Sequence, residues 1–277
     1  MAERNIRLTL AYDGTDFLGW QLQRQGRTVQ GVMQEGLSRM HGHSVHVLAA
    51  GRTDSGVHAT GQVANFHTDI DSIPGTRFRD AVNAHIPRDV RVLSSDTVGP
   101  GFHARRSARL RVYRYYTVCG AVLLPHLRNF RHWIRRSPDT ARLNELAAVL
   151  IGEHDFTCFS AEGDANLSKV RRVDSSAFHR EGDTLVYTIA ASSFLWKMVR
   201  TIIGTLLTLE EQGLGARELR LIMAAGSRSN AGGTAPARGL FLERVVYDAG
   251  CAIAEELLED AEPPGGLADD GLFPEAP

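Results

Sequence analysis

The chain has 277 residues, 43% hydrophobic and 23% charged, with a formal charge of −1. This balance excludes wholesale disorder and low-complexity fibres and suits one large or two modest domains. No run approaches the roughly 18 unbroken apolar residues of a membrane span, the opening Met1-Ala2-Glu3-Arg4-Asn5 is unlike a secretory leader, and three scattered cysteines (Cys119, Cys158, Cys251) favour a reducing cytoplasm over a disulfide framework or a Cys-based zinc site.

In chain order, Asn5–Tyr12 alternates Ile6, Leu8, Leu10 and Tyr12 with Arg7, Thr9 and Ala11, the pattern of a half-buried strand. A loop rich in Gly, Asp and Gln follows. Thr28 is placed to cap a helix carrying Val29, Val32, Met33, Leu37 and Met40, with Gly42 as its stop. Strands are expected at Ser44–Ala49 and Gln62–His67, a helix over Arg77–Ile86 ending at Pro87, and a short strand at Asp89–Leu93. The order β-α-β-β-α-β is that of a ferredoxin-like unit.

The pattern then recurs: a strand at Leu110–Val118, a helix capped by Asp139 and closed by Gly152, and a hairpin of Val170–His179 with Thr184–Ala191 around Glu181-Gly182-Asp183. A long helix over Phe194–Gln212, a shorter one over Arg217–Ala225 and a strand at Gly239–Tyr247 complete it. The expected fold is α+β, with one half over 1–105 and a second over 106–250. The segment 251–277 carries eight acids and no Lys or Arg, and reads as a disordered acidic tail.

Without that tail, residues 1–250 hold 31 basic against 24 acidic residues, a formal +7, and 29 of the 31 are arginine. Arginine forks fit phosphate oxygens and stack on bases. Between Thr97 and Pro138 there are nine arginines and no acid, so Arg105, Arg106 and Arg109 are candidates for a phosphate-facing surface. The segment Ala50–Ala59, AGRTDSGVHA, joins two expected strands, turns on glycines and sets Asp54 two residues after Arg52. On spacing alone, an aspartate in such a turn reads as a structural cap of a neighbouring N–H more readily than as a catalyst. His41, His43 and His46 have a superficially metal-like spacing without Cys or carboxylate support, so no metal site is expected there.

That ten-residue segment resembles the active-site motif of the tRNA pseudouridine synthase A family. Tyr12-Asp13-Gly14-Thr15, Gly19-Trp20-Gln21, Thr28-Val29-Gln30, Gly61-Gln62-Val63, Phe102-His103-Ala104-Arg105, Tyr113-Arg114-Tyr115, Gly152-Glu153-His154-Asp155-Phe156, Met198-Val199-Arg200 and Gly239-Leu240 follow in the family's order, over about residues 5–247.

The resemblance implies two ferredoxin-like (RRM-like) halves joined into one mixed, largely antiparallel sheet with a central cleft. It also implies a homodimer, and a reaction without cofactor or metal that converts uridine to pseudouridine in the tRNA anticodon stem–loop, at tRNA positions 38, 39 and 40. Asp54 is then the catalytic carboxylate and Arg200 its ion-pair partner. Tyr113 becomes the ring against the target base, Leu240 an apolar pocket wall, and Arg52 an RNA contact near the displaced nucleotide. His58 is expected to orient the loop through a hydrogen bond.

Overall fold

The computed structural model describes residues 3–120 and 122–248; the acidic tail expected from residue 251 lies outside the described residues. The first unit comprises β1 (Arg4–Tyr12), α1 (Val29–His41), β2 (Leu48–Ala49), β3 (His58–Thr68), α2 (Phe78–Asn83) and β4 (Val90–Val98). The second comprises β5 (Ala108–Cys119), β6 (His132–Ile134), α3 (Thr140–Ala148), β7 (Gly152–Asp155), β8 (Val170–Glu181), β9 (Thr184–Ala191), α4 (Met198–Glu211), α5 (Ala216–Ala225) and β10 (Leu240–Tyr247). All of these strands belong to one sheet. Its main path is β4-β1-β3-β10-β5-β9-β8-β7, with β2 beside β3 and β6 beside β5. Both units thus lay their strands down in the same spatial order, β4-β1-β3-β2 and β10-β5-β9-β8, the α+β arrangement expected from the sequence.

Pairing is antiparallel except at β5–β6 and at the seam between the units, where β10 runs parallel to β3. The seam is short: Phe241 and Leu242 sit opposite His58 and Ala59, while the same edge of β3 pairs with β2 further along, at Ala64 and Asn65. The segment between β2 and β3 therefore leaves the sheet where the two units meet.

Alternation drives the strands. Ile6, Leu8, Leu10 and Tyr12 of β1 are buried while Arg7, Thr9 and Ala11 are less so. Val29, Met33 and Leu37 of α1 face the same core. Thr28 caps α1 by accepting a hydrogen bond from the Gly31 N–H, and Gly42 ends it in the left-handed region (φ 72°). Asp139 caps α3 by accepting from the Ala141 and Arg142 N–H groups.

Several boundaries differ from the expectation. Only Leu48 and Ala49 of the expected second strand pair, and α2 is a short helix. Helix α3 ends at Ala148, and Gly152 (φ 110°) opens β7, a strand the sequence reading missed along with β6. Helix α4 begins at Met198, because Lys197 adopts φ 60°, the only positive φ of a described non-glycine residue. No helix among the described residues is long and apolar enough to cross a membrane.

Candidate active site

The loop Ala50–Val57 is held from several directions. At its entry the Ala50 N–H donates to the Val63 carbonyl at 2.8 Å, and Gln62 Nε2 donates to the Gly51 carbonyl at 2.8 Å. Its middle rests on the loop after β1. The Trp20 N–H donates to the Thr53 carbonyl (3.0 Å), the Ser55 hydroxyl donates to the Phe17 carbonyl (3.2 Å), and the Thr53 and Tyr12 hydroxyls share a hydrogen bond (2.9 Å). The two loops touch so closely that a Cβ on Gly14 would lie 2.0 Å from the Val57 carbonyl oxygen. At Gly19 a Cβ would meet the Thr53 oxygen at 2.4 Å, and φ is 89°.

His58 completes the support. Its Nδ1 accepts the Gly14 N–H (3.0 Å), so the proton resides on Nε2, which donates to the Asn129 carbonyl (2.9 Å). Burial lowers the imidazole pKa, opposed mainly by the nearby Asp13 carboxylate 3.3 Å away. The ring is a neutral wedge stacked on Phe241 at the seam, with a loop-orienting role as expected.

The outcome is a carboxylate presented to a hollow. Asp54 is 19% exposed, and its Oδ2 lies 3.1 Å from Nη1 of Arg200, which is 15% exposed. Arg200 sits in the first turn of α4 and is itself held, its Nε donating to the Ala235 carbonyl (2.8 Å) while the Ala235 N–H donates to its own carbonyl (3.0 Å). Residues 146 positions apart thus form one fixed ion pair.

Around the pair lies a cavity of about 890 Å³, within the range of pre-formed ligand sites. Arg52, Tyr113 and Leu240 line it with Asp54 and Arg200. Tyr113 is buried against Phe194, edge to face at 5.1 Å. Burial pushes its phenol pKa upward, reinforced by Tyr12 and the Asp54 charge, so the hydroxyl remains protonated near neutral pH. Tyr12 behind it is pushed up to about 12 by burial, partly offset by its hydrogen bonds with Thr53 and Gln62.

Six cationic side chains and two carboxylates line this cavity. A second cavity, of about 630 Å³, shares Arg52, Arg105 and Arg111 with it and adds Arg106. Arg109 lines neither; it is exposed and lies 3.4 Å from Asp248.

Part of the acid-free stretch is thus neutralised within the fold. Arg109, Arg114 and Arg136 find acids elsewhere in the fold, in Asp248, Glu243 and Glu210. A local charge count misses partners that tertiary structure supplies.

Arg111, one of the nine arginines of the acid-free stretch, has a buried position that the sequence did not single out. It is 7% exposed and donates to the carbonyls of Ala50, Ala108, Ser192 and Arg105, at 2.5–3.3 Å. It holds a positive charge at the junction of both cavities while tying the Asp54 loop to the end of β9.

The second carboxylate, Asp164, was also missed. Its side chain is 1% exposed and accepts from the Trp196 N–H (2.7 Å), the Asn166 N–H (2.8 Å), the Asn166 side-chain amide (2.6 Å) and the Ser160 hydroxyl (3.0 Å), with Lys169 Nζ at 3.3 Å. Among the described residues, no three His, Cys, Asp or Glu side chains gather as metal ligands. His41 bonds to the Leu37 carbonyl and the Thr68 hydroxyl instead.

A two-unit sheet with two ion-paired carboxylates, Asp54 and Asp164, among six cationic side chains in one cavity has the charge and the space to receive an anionic substrate. The family model described as tRNA pseudouridine synthase matches residues 9–105 and 146–248. The tRNA pseudouridine synthase A of Treponema denticola is 45% identical over 250 residues, covering 88% of this chain and 93% of that protein. Those of Halalkalibacterium halodurans and Lysinibacillus sphaericus are 42% and 40% identical, each over at least 87% of this chain and 92% of the relative. The chain belongs to the tRNA pseudouridine synthase family, a family of isomerases.

Proposed function

We propose that this protein converts uridine to pseudouridine in the anticodon stem–loop of tRNA, at positions 38, 39 and 40, with Asp54 as the catalytic carboxylate. The single observation that carries the reading is the Asp54–Arg200 pair, 3.1 Å apart at the wall of a cavity large enough for a nucleotide.

The reaction breaks the N1–C1′ bond and forms C5–C1′. The C5 hydrogen leaves as a proton and N1 regains one, so the product is an isomer and no redox partner enters. Arg200 sets a positive charge 3.1 Å from the Asp54 carboxylate, and a carboxylate is the form required to attack carbon or to accept a proton. Asp164, the other carboxylate of the cavity, is occupied by its own hydrogen bonds, which leaves Asp54 to receive the C5 proton. A hydrolase reading needs a second working acid beside Asp54, and Asp164 is not placed to serve as one. Tyr113 lies against the base and donates from its hydroxyl, while Leu240 keeps water from the ring.

A paired base must leave its stack to reach this cavity, at a cost of a few kcal/mol. Arg52, exposed between the two cavities, offsets that cost by contacting the opened strand. Arg105 and Arg106 hold phosphates along the second cavity, and Arg109, further out beside Asp248, adds little. We take the protein to act as a cytoplasmic homodimer with one tRNA across both subunits, recognised through shape and phosphates.

The test is to map pseudouridine in unmodified tRNA transcripts before and after incubation with the protein. Conversion confined to the anticodon stem–loop is expected. Conversion elsewhere overturns the specificity, and none at all overturns the activity.

A further inference from the structure

Among the residues lining the main cavity, one large aromatic side chain is displayed to solvent. Trp196 lines the main cavity and is 47% exposed, whereas Trp20 is 1% exposed in the core. Both of its main-chain groups are fixed: the N–H donates to Asp164 Oδ2 at 2.7 Å, and the carbonyl accepts the Ala161 N–H at 2.9 Å. Asp164 is in turn a nearly inaccessible carboxylate that Ser160, Asn166 and Lys169 must satisfy. The next residue, Lys197, occupies the left-handed region and places its ammonium 4.8 Å from the indole centroid.

Burying a charge and straining a non-glycine residue are each unfavourable, and such features persist where the surroundings over-determine them. Here both converge on the position of a half-exposed indole beside the catalytic pair.

We propose that Trp196 is a stacking platform for an unpaired base of the RNA next to the target uridine. The inference rests on the RNA substrate proposed above and adds a recognition element to it. An indole face stacks on any base, which suits a site reading several neighbouring nucleotides in varied sequences. The backbone that carries the indole is already held by hydrogen bonds, so no main-chain ordering is needed on binding. Cationic residues line the cavity around the indole, so the strand's phosphates are neutralised where its base stacks.

The protein has three tryptophans, Trp20, Trp133 and Trp196, so the stack is visible in emission. Intact protein is titrated with an unmodified tRNA transcript, following fluorescence and, in parallel, affinity by filter binding. The wild type is expected to be quenched, as is Trp133→Phe. Trp196→Phe loses the quench yet binds within about threefold of wild type, since a phenyl ring still stacks. Trp196→Ala binds roughly 5- to 100-fold more weakly, the range that loss of one base–aromatic stack gives, with the loss falling on KM more than on kcat.

Undiminished affinity in Trp196→Ala, or a full quench surviving in Trp196→Phe, overturns the proposal. So does a change in sedimentation of Trp196→Ala with RNA affinity intact, which assigns the indole to a protein contact. Absence of any tRNA binding by the wild-type protein brings down the functional reading itself, a distinguishable result.

Discussion

On the wall that carries Asp54, the chain is held backbone to backbone. Gly14 and Gly19 let one loop lie directly on another, and main-chain groups of Phe17, Trp20 and Thr53 share the hydrogen bonds between them. On the facing wall, side-chain chemistry does the positioning: Asp164 gathers Ser160, Asn166 and the Trp196 N–H, and Arg200 is fixed by the 235 carbonyl. Arg111 binds carbonyls on both sides, at Ala50 and Ser192. The first wall fails sterically when a methyl group is added, and the second fails electrostatically when a charge is removed.

The largest expected effect breaks the first wall. Gly14→Ala puts a carbon 2.0 Å from the Val57 carbonyl, which no rotamer relieves. The loop must move, costing about 2–3 kcal/mol in stability and most of the activity through displacement of Asp54. Denaturant melts and turnover check this, and a variant with wild-type kcat contradicts it.

Asp164→Asn breaks the second wall more gently. Burial alone would raise this carboxyl's pKa, but the N–H groups of Asn166 and Trp196, with further side-chain hydrogen bonds, hold it well below the usual carboxylate range. A group depressed in the folded state stabilises above its unfolded pKa of about 4 and loses that contribution as pH falls toward the folded value. The variant is therefore expected to be about 2 kcal/mol less stable at pH 7, with the gap narrowing by about 1 kcal/mol between pH 5 and pH 3. A gap unchanged over that range refutes the role given to the charge.

The smallest effect sharpens the comparison at the rim. Replacing Arg105 and Arg106 with alanine is expected to weaken tRNA binding and reduce its logarithmic salt slope by about two. Arg109→Ala, already beside Asp248, is expected to leave both nearly unchanged. Equal effects from all three would mean that the cavities do not mark the path of the RNA.

The same division explains what could be read from the chain. Strand alternation, the Thr28 and Asp139 caps, the β-α-β-β-α-β order of the first unit and the loop around Asp54 are local patterns, visible in a window of residues. The resemblance then pointed to the pairing of Asp54 with Arg200, which spacing alone does not show.

Arg111, Asp164 and the fixed Trp196 were illegible, because each role needs a distant partner: Arg111 reaches Ala50 and Ser192, and Asp164 meets Trp196 across 32 positions. The early start expected for α4 failed for the same reason. Phe194 and Leu195 fit helical periodicity, yet Asp164 captures the Trp196 N–H and Lys197 turns left-handed. The internal acids that meet Arg109, Arg114 and Arg136 were hidden likewise, since Asp248, Glu243 and Glu210 arrive from elsewhere.

The most direct test of the central claim follows tritium released from C5 of labelled uridine in a tRNA transcript by wild-type protein, Asp54→Asn and Asp54→Glu. Asparagine keeps the shape and a hydrogen bond to Arg200 but supplies neither nucleophile nor base. The expected result is a fall in release of at least roughly a thousandfold for Asp54→Asn, with tRNA affinity within a few-fold of wild type. Release by Asp54→Asn within tenfold of the wild-type rate would show that the carboxylate facing Arg200 is not the group that does the chemistry.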